Sequence, residues 1–205
     1  MKIGIMGGTF DPIHNGHLIV AEYTRTSLKL DRLIFMPSGH HPFKDNKVIT
    51  PSEKRMEMVS LAIESNPYFQ TSSIEIDRMG TTYTIDTILS LKEKYKNDDL
   101  YFIIGSDILL EIEKWKSFNQ LINICNFALV NRMGEYKESV DNKLSYLREK
   151  YNIQVEEVKA PIIEISSTEI RERLIKELSI KYLVPEIVEK YIFQHNLYYK
   201  ENIDG

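Results

Sequence analysis

The residues best suited to chemistry stand near the start of the chain. His14 and His17 follow Gly7-Gly8-Thr9, which ends the apolar run Ile3 to Met6. A strand, a glycine turn and a helix N-terminus meet there. Two glycines let the backbone come close to a ligand, and the unpaired N–H groups of a helix start favour bound phosphate. Histidines in that position can donate hydrogen bonds to phosphate oxygens. The same letters also suit a structural turn, because Gly-Gly and Asp11-Pro12 are turn signals and a histidine pair can cap a helix or bind a metal. The lysine and Ser/Thr of a Walker A loop are absent. Spacing alone leaves both readings open.

A second group lies far along the chain, where Ile165-Ser166-Ser167-Thr168-Glu169-Ile170-Arg171 opens a helix. Ser166 and Glu169 match a capping box, which alone explains their types. Ser167, Thr168, Arg171 and Arg173 add hydroxyls, exposed N–H groups and guanidiniums at one helix start, a collection that suits a polyphosphate. Arg171 in the first turn runs against the helix dipole, which favours acids there.

The elements that must position these groups follow from periodicity. Strand-like runs recur at Ile3 to Met6, Leu33 to Met36, Leu100 to Ile104 and Phe127 to Val130, with helix-patterned stretches between most of them. Continuous apolar strands separated by helices predict a Rossmann-like, doubly wound α/β fold: a mostly parallel sheet with helices on both faces. Helices are expected from near Gly16, carrying Leu18, Ala21, Leu28 and Leu30 inward, from about Ser52 to Ser65, and from Thr84 to Tyr95. A small helical part from about residue 165, including Pro185 to Phe193, is expected to pack on a single domain spanning 1–205. The polar stretch Pro37 to Pro51 exceeds typical α/β connections of about two to six residues, and loops of that length often cover a ligand. In such sheets ligands bind beyond the carboxyl ends of the strands, where strand order reverses. Gly8-Thr9, the Pro37 loop and Gly105-Ser106-Asp107 are the candidate ends.

Composition narrows the class. The chain has 205 residues, 42% hydrophobic and 27% charged, as ordinary globular proteins do. A net charge of −4 gives no general attraction to nucleic acid or an anionic membrane. The sole cysteine, Cys125, lies in an apolar run and reads as a buried inert thiol. No apolar run is long enough to span a bilayer, so the cytoplasm is the expected compartment.

With both motifs in hand, the chain resembles bacterial nicotinate-nucleotide adenylyltransferases, of the superfamily with an (H/T)-x-G-H signature. The matches are GGTFDPIHNGH at 7–17 and ISSTEIR at 165–171, joined by GTTYTIDT at 80–87, IIGSD at 103–107, Lys114-Trp115 and VPEIVEKYIFQHNLY at 184–198. The resemblance covers nearly the whole chain. It implies transfer of AMP from ATP to nicotinic acid mononucleotide, releasing pyrophosphate. It also implies that Gly8, Thr9, Phe10, His14 and His17 surround the α-phosphate and nearby ATP groups, with Arg132 as an ATP-side cation. Ser167, Thr168 and Arg171 would hold the β and γ phosphates, and Lys44 would reach the reacting phosphates. The Thr84 backbone and Trp115 would recognise the nicotinate ring, with Gly105 and Asp107 near the ribose. His14, His17, Lys44 and Arg171 are the expected catalytic groups. Mg²⁺ would ride mainly on the ATP phosphates, with no protein metal ligand assigned. The partners are small molecules, without nucleic acid or membrane, and a homo-oligomer is left open.

The sequence departs from that family at His41-Pro42-Phe43-Lys44, where Pro-Pro-His-Lys is usual, at Lys116, often a second aromatic, and at Asn131-Arg132-Met133-Gly134, often Arg-Pro-Gly. Rival readings are a phosphopantetheine adenylyltransferase, which should lack GTTYTIDT and the Trp115 segment, an enzyme preferring the amide mononucleotide, and a nucleotide-binding regulator without turnover.

Overall fold

A computed structural model describes residues 1–39, 49–78, 80–131 and 137–199. Among these residues six strands form one sheet: β1 (Lys2–Gly8), β2 (Arg32–Pro37), β3 (Phe69–Thr71), β4 (Asp99–Gly105), β5 (Asn126–Asn131) and β6 (Val155–Lys159). Their order is β3-β2-β1-β4-β5-β6, and every neighbouring pair is parallel. The chain winds outward from β1 in one direction, then returns to start β4 on its other side. That reversal opens a crevice between β1 and β4 at their carboxyl ends.

Among the described residues eight α-helices cover the sheet: α1 (Asn15–Leu28), α2 (Ser52–Ile63), α3 (Thr84–Lys94), α4 (Ser106–Glu111), α5 (Phe118–Ile124), α6 (Lys137–Tyr151), α7 (Ser167–Ile175) and α8 (Glu186–Gln194). A 3₁₀ turn, Ile112–Lys114, follows α4. Side chains alternate across each strand. Leu33 and Phe35 join Met58, Ile170 and Val188 on one face, whereas Ile34 and Met36 join Ile88, Leu109 and Leu144 on the other. Both faces are therefore buried, as the unbroken apolar strands require.

The first helix starts where its pattern predicts but ends at a left-handed Lys29, so Leu30 lies beyond it and still packs in the core. β3 and β6 escape the periodicity: β3 has only three residues, and in β6 only Val155 and Val158 are buried. Both are edge strands, and the exposed Glu156 and Glu157 of β6 are a common guard against edge pairing. Cys125 is buried, and burial pushes its thiol up to about 12. Among the described residues no helix is long and apolar enough to cross a membrane.

α8 packs on α2, and the segment before it meets the start of α1. Asn15 donates through its backbone N–H to Leu183 O at 2.9 Å and through Nδ2 to Tyr182 O at 2.7 Å. Tyr198 donates its hydroxyl to the buried Asp11 carboxylate at 2.8 Å. Residues far apart in sequence thus converge on the connection between β1 and α1.

Candidate active site

A cavity of about 360 Å³ opens at the crevice between β1 and β4. Gly7, Gly8 and Thr9 form one wall, Phe102 to Gly105 another, and His17, Ser38, Glu75, Thr84 and Trp115 complete it. A smaller recess of about 60 Å³ adjoins it behind His17, bounded by His14, Gly16, Ile163 and Ile165. Met6, His17, Val20 and Val130 border both spaces. The site therefore has two compartments with one imidazole at their junction.

The histidines form the start of α1. His14 is the N-cap residue, in extended conformation, and is 5% exposed. Its backbone N–H donates to His17 Nδ1 at 3.3 Å, and the two rings stack at 3.6 Å between centroids. The capping reading holds for His17, whose Nδ1 caps the helix, and the ring of the same residue borders the cavity. Gly16 permits this packing, because a Cβ there would lie 3.0 Å from His14 Nδ1. Phe10 holds a positive φ of 50°, unusual for a bulky residue, and its ring packs edge-on against His17 at 5.0 Å and near Phe35 at 5.9 Å.

At the head of α7, Ser166 accepts the Glu169 N–H at 3.1 Å, so the capping reading of that serine holds. The next residues reach the β1–α1 connection. Ser167 Oγ donates to Pro12 O at 2.9 Å, and Arg171 Nη1 donates to Asp11 O at 2.6 Å. Arg171 Nη2 also reaches Thr168 Oγ1 at 3.3 Å. Arg173 is not brought to this group; its Nε donates to Ser179 O.

On the opposite side, Trp115 stands edge-to-face with Phe102 at 5.7 Å and lines the cavity. Thr84 is the first residue of α3, and Gly105 is the N-cap residue of α4. Asp107 is exposed and folds back toward Gly105, where an added Cβ would lie 2.6 Å from its Oδ1. Glu113, two residues before Trp115, accepts hydrogen bonds from Lys143 and, at 2.7 Å, from Tyr151. Those cationic and hydroxyl donors pull its carboxyl down to about 2. Lys116 sits 4.1 Å from the Tyr83 ring centroid and 3.8 Å from Asp86. Lys44 and Arg132, like His40, His41 and Phe43, lie outside the described residues.

Two residues of the site escape sequence reasoning. Arg55 is 3% exposed, and its guanidinium donates to Thr50 O, Thr9 O and Ser38 O at 2.9, 2.7 and 2.8 Å. Burial lowers its pKa, with Asp11 the leading opposing charge. Its signal is available in the sequence: with Met58 and Val59 it falls on the apolar stripe of α2, where a cation is out of place. Glu75 lines the cavity and takes a hydrogen bond from Thr87 Oγ1 at 2.9 Å. Burial raises its carboxyl above the usual range. It stands in an irregular segment after β3, and no pattern marks it.

Comparison with known proteins gives consistent matches. A family model described as cytidylyltransferase-like matches residues 5–173. A protein of Thermoanaerobacter sp. named as a probable nicotinate-nucleotide adenylyltransferase is 47% identical, covering 100% of this chain and 98% of its own. One of the same name from Moorella thermoacetica is 42% identical over 100% of this chain and 94% of its own. Among solved structures, the Plasmodium falciparum nicotinic acid mononucleotide adenylyltransferase complexed with NaAD superposes with a TM-score of 0.76 at 24% identity, covering 96% of this chain and 97% of that one. That likeness shows the shared fold.

Proposed function

The chain belongs to the nicotinate-nucleotide adenylyltransferase family, among the cytidylyltransferase-like proteins, and on that premise we propose how its residues carry the reaction. The enzyme transfers AMP from ATP to nicotinic acid mononucleotide, giving deamido-NAD and pyrophosphate. An oxygen of the mononucleotide 5′-phosphate bonds to the α-phosphorus of ATP as the bond to pyrophosphate breaks. The attacking phosphate has a second pKa of about 6 and carries most of its charge at neutral pH, so no strong protein base is needed. Positioning and charge neutralisation carry the rate.

The observation that best supports this assignment is the position of His17 on the border of both compartments. Its Nδ1 accepts the His14 N–H, so its proton resides on Nε2, where it can donate to an α-phosphate oxygen. Gly8, Thr9 and Phe10 supply the backbone against the same phosphate, and His14 supports the ring of His17. Ser167, Thr168 and Arg171 receive the β and γ phosphates at the N-terminus of α7, where the leaving pyrophosphate gathers charge. Lys44 and Arg132 are assigned as further cations on the phosphates. Trp115 stacks on the nicotinate ring, the α3 start at Thr84 meets its carboxylate, and Gly105 with Asp107 faces the ribose.

The family works with a divalent cation, and we assign Mg²⁺, entering with ATP. Among the described residues no group of three or more His, Cys, Asp or Glu could hold a metal. Bound to the ATP phosphates, Mg²⁺ would neutralise charge on the leaving pyrophosphate. A cytoplasmic location, where ATP is abundant, is part of the same proposal.

The test is pyrophosphate release with ATP and Mg²⁺ against nicotinic acid mononucleotide, its amide and phosphopantetheine at matched subsaturating concentrations. Preference for the acid is expected. Preference for another acceptor would retain the transfer chemistry and overturn the ring-pocket assignment, and no release would favour a binding protein.

A further inference from the structure

Arg55 lies behind the cavity wall formed by Thr9 and Ser38, and Glu75 lies at the cavity itself. Both grip one peptide. The Ser38 carbonyl accepts Arg55 Nη2 at 2.8 Å, and the N–H of Gly39, on the opposite side of the same plane, donates to the Glu75 carboxylate. Gly39 must be glycine for this approach, because a Cβ there would lie 2.1 Å from the Glu75 carbonyl oxygen.

Each grip extends to a different half of the site. Arg55 Nη1 donates to Thr9 O at 2.7 Å, which turns the Phe10 N–H to the other side of its peptide, away from the guanidinium. Phe10 holds its positive φ next to that contact. The Glu75 carboxylate accepts Thr87 Oγ1 at 2.9 Å, which ties it to the first turn of α3, the helix that begins at Thr84. A continuous path of short contacts thus runs Phe10, Thr9, Arg55, Ser38–Gly39, Glu75, Thr87.

We propose that Arg55 and Glu75 act as paired positioning residues, clamping the Ser38–Gly39 peptide to fix the Thr9–Phe10 phosphate turn against the start of α3. The inference rests on the adenylyl-transfer reading, in which the turn meets ATP and α3 meets the mononucleotide. Transfer requires the attacking oxygen and the α-phosphorus within near-attack distance, and a misplacement of about 1 Å can cost about 10²-fold in rate. Arginine suits its place because a planar fork fixes three carbonyls at once, which an ammonium cannot. Neither residue needs to touch a reacting atom.

The experiment compares wild type, Arg55→Lys, Glu75→Gln and the double variant by steady-state kinetics in both substrates, with thermal unfolding alongside. Each single variant is expected to lower kcat by about 10-fold or more in the folded enzyme, with smaller changes in either KM. The double variant should lose less than the product of the single losses, because both changes release the same peptide. A purely structural role would lower the melting temperature and leave kcat of the folded enzyme intact, and that result overturns the proposal. Multiplicative losses also overturn it, since the two residues would then act separately. Glu75→Gln keeps the side chain's shape and hydrogen-bonding reach to Thr87, so it remains informative if Arg55→Lys fails to fold. Activity of the wild type with nicotinic acid mononucleotide in the same assay separates failure of the clamp from failure of the functional reading.

Discussion

The His14 backbone N–H donates to Nδ1 of His17 at 3.3 Å, which makes one imidazole both a helix cap and the border of two cavities. In an ordinary capping box the third helical residue is Glu or Gln, reaching back to the N-cap N–H. Here His17 takes that role, and the hydrogen bond fixes which ring nitrogen bears the proton. One contact therefore sets the structure of the helix start and, in the proposed function, the donor that His17 offers to phosphate.

These two duties can be separated. His17→Asn keeps an acceptor near the Nδ1 position and removes the Nε2 donor, whereas His17→Ala removes both. Both variants should lose turnover by about 10² or more, the scale of one transition-state donor. Only His17→Ala should also lose the cap, worth about 1 kcal/mol in helix stability. Steady-state rates and chemical denaturation check the pair, and an asparagine variant with near-normal turnover would remove His17 from the chemistry.

Trp115 is the only tryptophan in the chain, so it reports on its own pocket. Titration with nicotinic acid mononucleotide should change its emission through stacking, and ATP alone should change it less. Trp115→Ala should raise the KM for the mononucleotide well above any change for ATP. An equal effect on both substrates would mean that the indole serves only to pack against Phe102, at 5.7 Å.

Legibility in the sequence follows how locally each feature is encoded. β1, β2, β4 and β5 can be read because burial on both faces leaves unbroken apolar runs, as in Leu33 to Met36. β3 and β6 cannot, since short edge strands carry little periodic signal. The starts of α1 and α7 are legible for a similar reason: glycines, histidines and a capping serine mark a helix start within a few residues. Arg55 and Glu75 act across the fold. Arg55 binds the carbonyl of Thr9 46 positions away, a relationship that exists only once β1 and α2 have packed.

Arg171 holds a docking contact, and the proposed function gives its guanidinium a second duty at the polyphosphate. Its Nη1 docks α7 on Asp11 O at 2.6 Å, and the remaining face of the fork is assigned to the polyphosphate. Arg171→Lys keeps the charge and loses the planar geometry. The expected result is a fall of about 10-fold or more in kcat/KM for ATP, with the mononucleotide KM nearly unchanged. Pyrophosphate release at saturating mononucleotide and varied ATP measures it, and an unaltered ATP dependence would exclude contact with the leaving group.

Glu113 ties the turn before Trp115 to α6 through Lys143 and Tyr151, and these donors lower its carboxyl from 4.5 to about 2. A folded-state pKa below the unfolded one means that the folded carboxylate binds fewer protons. Its stabilising effect is then complete above the unfolded value near 4.5 and is lost as pH falls through about 2. Glu113→Gln should accordingly be less stable than wild type near neutral pH, and the gap should narrow steadily as pH drops from about 5 toward about 2. Added salt should narrow it too, because the ion pair lies close to the surface. Denaturation midpoints across pH provide the check. A gap independent of both pH and salt would show that the glutamate acts by packing and hydrogen-bond shape alone, leaving the orientation of Trp115 to Phe102.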